Sequence, residues 1–443
     1  MLKKWFHFGL ERIASKVTST EHPILPPKQE PDAIHDTGFF LLRQPIIDAG
    51  NHIIGYDLGF RSVDAMPGQD AVLTQLDKPI LSKFAALGLA EACVGKELFI
   101  RVSGSLLSHR DLALLPKQQV VLAIDMNQAD AIEYVHTSGR ALAAEGWKVV
   151  LDNLPDLPQA DALLDIPAYL RFDLRLYNAV ELNQRIKTLR GQRKLTIIAR
   201  QVETEDEYEA SQMMTFDAYQ GYYFIRVLID RPRRVDHDRI RVIRMLNMAA
   251  QHAEIIELDL VIKRDPILAY KLLAYINSPL SGLDHQLESI AQALMFLGYE
   301  PLYRWLTALL FTTGVRGPRD RLLLQQALVR ARLMELLALR CMSHKEADLL
   351  FIVGMFSLLD ALLNQPMAQA IEPLNLTEQV KTALLTGDGP LATIMHLGIA
   401  LEGAQWYKAD ELARSLGLNA DQVNPLLVEA MTWVMVLDNL PHD

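Results

Sequence analysis

Charged and polar side chains end several short apolar runs of this sequence. Arg101 follows apolar residues in FIRVS, Asp152 and Asn153 follow VVL, and Arg200 follows TIIA. Carboxylate oxygens are the ligands that hard divalent cations prefer, whereas guanidinium groups bind phosphates through paired hydrogen bonds. These positions therefore combine side chains that would attract a metal ion with side chains that would repel it.

Residue spacing does not indicate other kinds of reactive site. Cys93 and Cys341 lie far apart, so we expect two small buried residues in a reducing compartment. The sequence contains no phosphate-binding glycine-rich loop and no nucleophile elbow, and residues 387–390 are predicted to form a turn. Four histidines, His252, His285, His344 and His396, are not spaced as metal ligands usually are.

Length and composition limit the classes of protein to consider. A chain of 443 residues exceeds the size at which one core keeps growing, which predicts two or three domains. The net charge of −10 argues against broad nucleic-acid binding, although it leaves room for a local basic patch. No apolar run reaches the roughly 18 to 20 residues of a transmembrane helix, and we therefore expect a cytoplasmic protein.

Residues 1–36 are predicted to form an N-terminal segment and linker. The opening sequence MLKKWFHFGLERIASKV is too polar for a signal peptide. Its apolar residues, among them Trp5, Phe6 and Phe8, are flanked by Lys3, Lys4 and Arg12. This pattern fits either an amphipathic helix that docks on a membrane surface or partner, or a short tethered helix. Residues 20–37 are rich in proline and charge and are predicted to be an extended linker.

From residue 39 to about residue 227, short apolar runs alternate with longer helix-like stretches. Such alternation predicts βα units, a parallel sheet and a TIM-like α/β barrel with its functional residues at the C-terminal ends of the strands. The predicted strands are Phe39–Ile46, His52–Leu58, Leu98–Val102, Val120–Ile124, Lys148–Leu151, Tyr169–Phe172, Leu195–Ala199 and Tyr219–Phe224. Helices are predicted at Lys78–Val94, Gln128–Glu145 and Ala179–Arg190.

After residue 236 the apolar spacing becomes helical, which places a domain boundary near residues 228–236. Gly298 is predicted to end a helix. Trp305, close to Tyr299 and Tyr303, either fills the core or anchors an interface. Residues 421–443 are predicted to form a C-terminal helical tail. The predicted helices of this all-α region include Ile240–His252, Glu257–Arg264, Ile267–Ile276, Ser289–Leu297, Pro301–Phe311 and Arg321–Cys341.

The N-terminal part resembles the EAL domain, a cyclic-di-GMP phosphodiesterase barrel. The resemblance is carried by RQPI at residues 43–46, by the Gly55–Leu58 turn with Asp57 at the signature acid, by Arg61, and by FIRVS, LAIDM, LDNL, IARQVET and QGYYF. It implies an EAL-type barrel over residues 37–228. In that family, acidic and amide side chains surround two divalent metals that activate water against a phosphodiester.

The C-terminal part resembles the HDOD domain, a helical relative of HD-type metal hydrolases that lacks their metal ligands. The segments DPILAYKLLAYINSP, SIAQALMFLG and LFIVGMFSLLDALL carry this resemblance. The His-Asp pair of an HD hydrolase is replaced by Ser357-Leu358, and nearby Asp360 is interpreted as a cap or salt-bridge partner. Together the two resemblances predict an EAL-plus-HDOD, YuxH-like bacterial signalling protein, with the HDOD bundle over residues 236–420.

The EAL resemblance assigns family positions to individual residues, and several are damaged. Asp57 stands at the signature acid, Arg101 at an Asn, Ala123 at a Glu and Arg200 at a metal-binding Glu. Asp152 keeps the first acid of the family's Asp pair, and Asn153 replaces the second. Three further counterparts complete the set: Arg171 near a catalytic Lys, and the retained Glu203 and Gln220.

These replacements predict an inactive remnant of a phosphodiesterase, with no metal and no cofactor. Arg101 and Arg200 are expected to pair with Asp57, Asp152 and Glu203 instead. Signalling would then proceed through contacts with an unknown regulatory protein. The alternatives are a residual phosphodiesterase and a metal-independent effector that binds cyclic-di-GMP, for which the candidate ligand residues are Arg43, Arg61 and Gln220.

Overall fold

A computed structural model describes most of the chain after residue 38. The described residues are 39–62, 86–89, 93, 95–102, 110–126, 131–192, 195–227, 237–277, 287, 289–313, 318–403 and 405–438. Predictions for residues 1–36, for most of the helix Lys78–Val94, for the boundary at 228–236 and for His285 lie outside this part of the chain.

The N-terminal part is a closed barrel of eight strands that are hydrogen-bonded in chain order. Neighbouring strands from β2 to β8 run parallel, but β1 is antiparallel to both β2 and β8, which corrects the prediction of a wholly parallel sheet. Only residues 49–52 join β1 to β2, too few for the crossover that a parallel pair requires. The strands are β1 Phe39–Asp48, β2 Ile53–Ser62, β3 Glu97–Arg101, β4 Val120–Asp125, β5 Lys148–Asp152, β6 Tyr169–Asp173, β7 Thr196–Arg200 and β8 Ala218–Gln220.

Strand β8 is shorter than the predicted Tyr219–Phe224. Gly221 follows it with φ of 149° and lies against the backbone of Val202, where a Cβ would come within 2.0 Å of the carbonyl oxygen. The chain then enters a 3-10 helix at Tyr223–Ile225. A residue without a side chain is therefore required where the barrel closes.

The barrel interior contains an apolar layer beneath a polar one. Side chains of a strand alternate between its two faces, so the residue two positions after an inward apolar residue also points inward. Phe99, Val150 and Ile198 belong to the apolar layer, and each is followed two positions later by a charged residue. The full apolar layer consists of Ile46, Phe99, Val121, Ala123, Val150, Ile198 and Ala218.

Helices on the outside of the barrel connect its strands. The predicted helix Gln128–Glu145 is interrupted in its middle by a π-helical turn at Val135–Gly139. Thr204 and Glu207 form a reciprocal capping box at the start of the fifth helix, which fixes its entry beside β7. These helices are α1 Ala131–Tyr134, α2 Arg140–Ala144, α3 Pro158–Asp161, α4 Ala179–Gln192 and α5 Glu205–Met213.

All described elements after residue 236 are helices, and the predicted fold class of a barrel followed by a helical bundle is confirmed. Gly298 lies between the fourth and fifth of these helices with φ of 75°, so it ends a helix as predicted. Trp305 is fully buried, which supports the core position among the two interpretations of this residue. They are α6 His237–Ala250, α7 Ile255–Lys263, α8 Pro266–Ile276, α9 Ile290–Leu297, α10 Tyr299–Thr312, α11 Pro318–Cys341, α12 His344–Phe356, α13 Leu359–Leu363, α14 Met367–Ile371, α15 Glu378–Thr386, α16 Ala392–Glu402, α17 Trp406–Ser415 and α18 Ala420–Asp438.

The long helix α11 lies at the centre of the bundle, packed against α12 on one side and α18 on another. Gly354 of α12 allows this close approach, because a Cβ there would lie 2.4 Å from the Cα of Ala331. None of the helices in the described part of the chain has both the length and the hydropathy needed to cross a bilayer.

Direct hydrogen bonds join the barrel to the helical region. The backbone N–H of Leu41 in β1 donates to the side-chain oxygen of Asn424 in α18 at 2.8 Å. The guanidinium of Arg43 donates to Gln326 of α11 at 3.1 Å and lies over the ring of Tyr56. Strand β1 is therefore covered on its outer face by helices from the other end of the chain.

Candidate functional site

A buried polar cluster fills the barrel above its apolar layer, at the C-terminal ends of the parallel strands. Arg101, Asp152, Arg200 and Gln220 are each the last residue of their strand. The positions that the sequence singled out are thus brought together where barrels of this type usually carry their sites.

Arg171 of β6 is at the centre of this cluster and is fully buried. Its Nε and Nη2 donate to the two carboxylate oxygens of Asp152 at 2.7 and 2.8 Å. Its Nη1 donates to Asp57 at 2.5 Å and to the side-chain oxygen of Gln220 at 3.0 Å. One guanidinium therefore bridges the two carboxylates, in the fork geometry that makes such pairs strong.

Two further arginines approach the same carboxylate more loosely. Arg101 donates to Asp152 at 3.3 Å, and a terminal nitrogen of Arg200 lies 3.6 Å from the same oxygen. Both side chains are buried, with relative exposures of 9% and 5%. The expected internal salt bridges are present, but Arg171 rather than Arg101 or Arg200 makes the close ones.

The pKa shifts in the cluster follow from this arrangement. Burial alone would raise the pKa of Asp152, but Arg171, with Arg200 and Arg101, lowers it to about 2. Burial would likewise lower the pKa of Arg171, but Asp152 and Asp57 raise it above its ordinary value. The pKa of Arg200 is lowered by its burial and by the positive charge of Arg171. Arg171 is thus well compensated by anions, whereas Arg200 is not.

Other predicted site residues lie beside the cluster. Ala123 belongs to the apolar layer below it. Asn153 has φ of 55° and accepts a hydrogen bond from the backbone N–H of Asp173 at 2.9 Å, which fixes the loop after β5. Glu203 forms no ion pair with an arginine of the described residues, and burial raises the pKa of its carboxyl. The expectation that Glu203 pairs with Arg101 or Arg200 was therefore wrong.

The three candidate ligand residues are placed differently. Gln220 belongs to the cluster, where its amide donates to Asp57 at 3.0 Å. Arg43 is on the opposite, outer face of β1 and contacts the helical region. Arg61 lies opposite Phe40 in the pairing of β1 with β2, and its side chain is outside the described part of the molecule.

One member of the cluster was missed by sequence reasoning. Gln44 accepts a hydrogen bond from the amide of Gln220 at 2.8 Å. It is the neighbour of Arg43 in RQPI, and the alternation of strand faces was a signal that only one of the two could point into the barrel. The aromatic ring of Phe99 beneath Arg171, 5.9 Å from its guanidinium, was also missed.

The helical region contains an arginine-centred pair of its own, at the position of the absent His-Asp pair. Arg330 of α11 donates to both carboxylate oxygens of Glu402 at 2.9 and 3.1 Å through its Nε, and to the hydroxyl of Ser357 at 2.8 Å. Asp360 accepts a hydrogen bond from the backbone N–H of Ala361 at 2.7 Å. It is the second residue of α13, whose N-cap is Leu358, so the predicted capping role was wrong.

The donor set in the barrel does not fit the two divalent cations that the EAL resemblance implies. Within the described residues, no three His, Cys, Asp or Glu side chains lie close enough to hold one metal ion. Asp57 and Asp152 are already joined by the guanidinium of Arg171, and two more arginines adjoin Asp152. The cluster is therefore arranged around positive protein side chains.

Comparison with known proteins identifies similar chains. A family model described as the HDOD domain matches residues 238–381. A protein of Vibrio cholerae named cyclic di-GMP phosphodiesterase CdgJ is 27% identical over 425 residues, covering 94% of this chain and 97% of that protein. The uncharacterized protein YuxH of Bacillus subtilis is 27% identical over 407 residues, covering 89% of this chain and 97% of YuxH.

Solved structures of EAL domains also match. The FimX EAL domain is 20% identical, with a TM-score of 0.35, and the match covers 43% of this chain and 90% of that one. An EAL domain protein of Listeria monocytogenes is 16% identical, with a TM-score of 0.33, and the match covers 42% of this chain and 87% of that one.

Proposed function

We propose that this chain is a non-catalytic signal-transduction protein of cyclic-di-GMP pathways. Its similarity to YuxH over most of its length and the match of its C-terminal part to the HDOD domain support this proposal. It acts through contacts of its barrel, residues 37–228, and its HDOD module, residues 236–420, with a regulatory protein. Similarity to a protein named a cyclic-di-GMP phosphodiesterase supports the pathway.

The position of Arg171 is the main observation in support of a non-catalytic function. Its guanidinium lies between Asp57 and Asp152, the two acids retained from the implied metal site. Repulsion between a guanidinium and a divalent cation about 4 Å apart is of the order of 8 kcal/mol at an effective dielectric constant near 20. A divalent cation would have to displace Arg171 and also overcome the charges of Arg101 and Arg200.

A hydrolysis assay tests this proposal. The purified full-length chain is incubated with cyclic-di-GMP and Mg²⁺ or Mn²⁺, and the products are separated by chromatography. We expect no metal-dependent formation of the linear dinucleotide, even at high protein concentration. Turnover that disappears in Asp152→Ala would contradict the proposal.

A restored variant serves as the matched comparison. It carries Arg101→Asn, Ala123→Glu, Asn153→Asp, Arg171→Lys and Arg200→Glu, which return the residue types that the EAL resemblance implies. Turnover by this variant alone would attribute inactivity of the natural chain to those five positions. Circular dichroism establishes first that the variant is folded.

The alternative of a residual phosphodiesterase is favoured by the name of the Vibrio cholerae relative and by the two retained acids Asp57 and Asp152. A metal-independent cyclic-di-GMP effector is the other alternative. Metal-dependent turnover that is lost in Asp152→Ala would identify the first alternative. The second requires that cyclic-di-GMP binds in the presence of EDTA, which calorimetry measures, and that no hydrolysis follows.

A further inference from the structure

The polar cluster of the barrel carries more positive than negative charge. Asp57 and Asp152 face three guanidinium groups, those of Arg101, Arg171 and Arg200, which leaves one positive charge in excess. Asp152 is shared by all three, but its two oxygens are already occupied by Arg171 at 2.7 and 2.8 Å. Arg101 and Arg200 therefore have no carboxylate of their own within this cluster.

The same two arginines have unsatisfied donors. The Nε atoms of Arg101 and Arg200 are buried and have no hydrogen-bond acceptor among the described residues. An unpaired buried donor is destabilising, and more so on a charged group. Two such donors on adjoining side chains are an arrangement that an acceptor-rich anion would relieve.

Nearby acids do not supply the missing negative charge. Asp173, which is within electrostatic reach of Arg200, is held by Arg175 through hydrogen bonds at 3.0 and 2.8 Å. Glu203 has a raised pKa because of its burial, so its environment disfavours the charged form. Arg101 and Arg200 also retain slight exposure, in contrast to the sealed Arg171, so they form the solvent side of the cluster.

We propose that the mouth of the barrel is an oxyanion site, in which Arg101 and Arg200 bind one phosphate group. A phosphate offers several acceptor oxygens to two guanidinium groups and brings the missing negative charge. Either an inorganic phosphate or monoester, or one phosphodiester group of a dinucleotide, has this chemistry. The site requires no metal ion, and signalling through protein contacts does not depend on it.

Calorimetry on the full-length chain in EDTA tests the site, with inorganic phosphate and cyclic-di-GMP as separate probes. We expect at least one probe to bind, and Arg101→Gln and Arg200→Gln to weaken its binding roughly tenfold or more. Binding of phosphate itself identifies a free anion or monoester as the ligand, whereas binding of cyclic-di-GMP alone identifies a phosphodiester. Failure of both probes to bind overturns the proposal.

Two more variants serve as controls for the loss of binding. Arg140→Gln removes an exposed arginine of α2 on the outside of the barrel and is expected to bind as the natural chain does. Arg200→Lys keeps the positive charge but loses the Nε donor, and it should bind several-fold more weakly than the natural chain. Equal affinity of Arg200→Lys, Arg200→Gln and the natural chain contradicts the assignment of Arg200.

Discussion

At the scale of single residues, Arg171 determines the character of the barrel interior. A guanidinium buried between two carboxylates satisfies both of them and also the side-chain oxygen of Gln220. Such a pair is costly to form and much more costly to break, because removing one partner leaves the other charge buried alone. The stability of the barrel should therefore depend on this residue more than on any surface arginine.

We predict that Arg171→Leu lowers the free energy of unfolding by about 3 to 5 kcal/mol, because Asp57 and Asp152 then lose the guanidinium that bridges them. Only the looser contacts of Arg101 and Arg200 with Asp152 remain. Arg171→Lys, which keeps the charge but not the fork, should lose less. Urea unfolding near pH 7 measures both variants. Equal stability of the leucine and lysine variants would show that the buried charges are compensated elsewhere.

The pH dependence of stability should reveal the same cluster. The pKa of Asp152 is lowered in the folded state from 3.8 to about 2, so its ion pair stabilises the protein above pH 4 and ceases to do so as the pH falls through 2. The contribution is about 2 kcal/mol. We expect the stability difference between the natural chain and Asp152→Asn to shrink by this amount on acidification. A difference that is constant across that range would refute the pairing.

At the scale of secondary-structure elements, helix α11 organises the helical region and strand β1 connects it to the barrel. Successive residues of β1 point to opposite faces of the strand. Gln44 forms a hydrogen bond inside the barrel, and Arg43 contacts α11 outside it. Packing of α11 against α12 depends in turn on the missing side chain of Gly354.

Gly354→Ala is predicted to destabilise the protein by about 1 to 3 kcal/mol, because the new methyl group would collide with the backbone of Ala331 and force the two helices apart. Gly191→Ala in α4 is the matched control: nothing lies within 4 Å of its Cβ position, and alanine there should stabilise by up to about 1 kcal/mol. Thermal unfolding followed by circular dichroism compares the two. A neutral Gly354→Ala would mean that α11 and α12 can separate without cost.

The sequence predicted which segments are strands and which are helices, but it did not predict the direction of β1. Apolar spacing identified the barrel strands and the helices after residue 236, since both patterns follow from burial of one face. It did not show that β1 runs antiparallel, which depends on the short connection at residues 49–52. Residue types also located the polar cluster, but they did not show that Arg171 lies at its centre. Arg171, and not Arg101 or Arg200, contacts both carboxylates because its side chain extends across the barrel interior, which local sequence patterns do not predict.

At the scale of the whole molecule, the barrel and the helical region are joined by buried and partly buried hydrogen bonds. Leu41, Arg43 and the segment after β8 all bond to helices, the last through Arg319, which donates to the carbonyl oxygen of Phe224 at 3.1 Å. Buried hydrogen bonds of this kind are costly to leave unmade. We therefore expect the two regions to lose stability together.

Asn424→Ala is predicted to cost about 1 to 3 kcal/mol and to speed hydrogen exchange in β1, because the buried N–H of Leu41 loses its acceptor. Asn375→Ala, an exposed position of the helical region, should change neither quantity. Hydrogen exchange followed by mass spectrometry measures both variants. Unchanged exchange in β1 of the Asn424 variant would indicate that the barrel is stable without α18.

The bond between Leu41 and Asn424 joins residues that are 383 positions apart, and this separation affects how the protein is made. A ribosome adds about 5 to 20 residues per second, so roughly 20 to 80 seconds pass between the synthesis of the two residues. Throughout that interval the outer side of the first strand lacks the helix that covers it. Surface that is exposed in this way is prone to aggregate during folding, and a message truncated before α18 would release the barrel with that side uncovered.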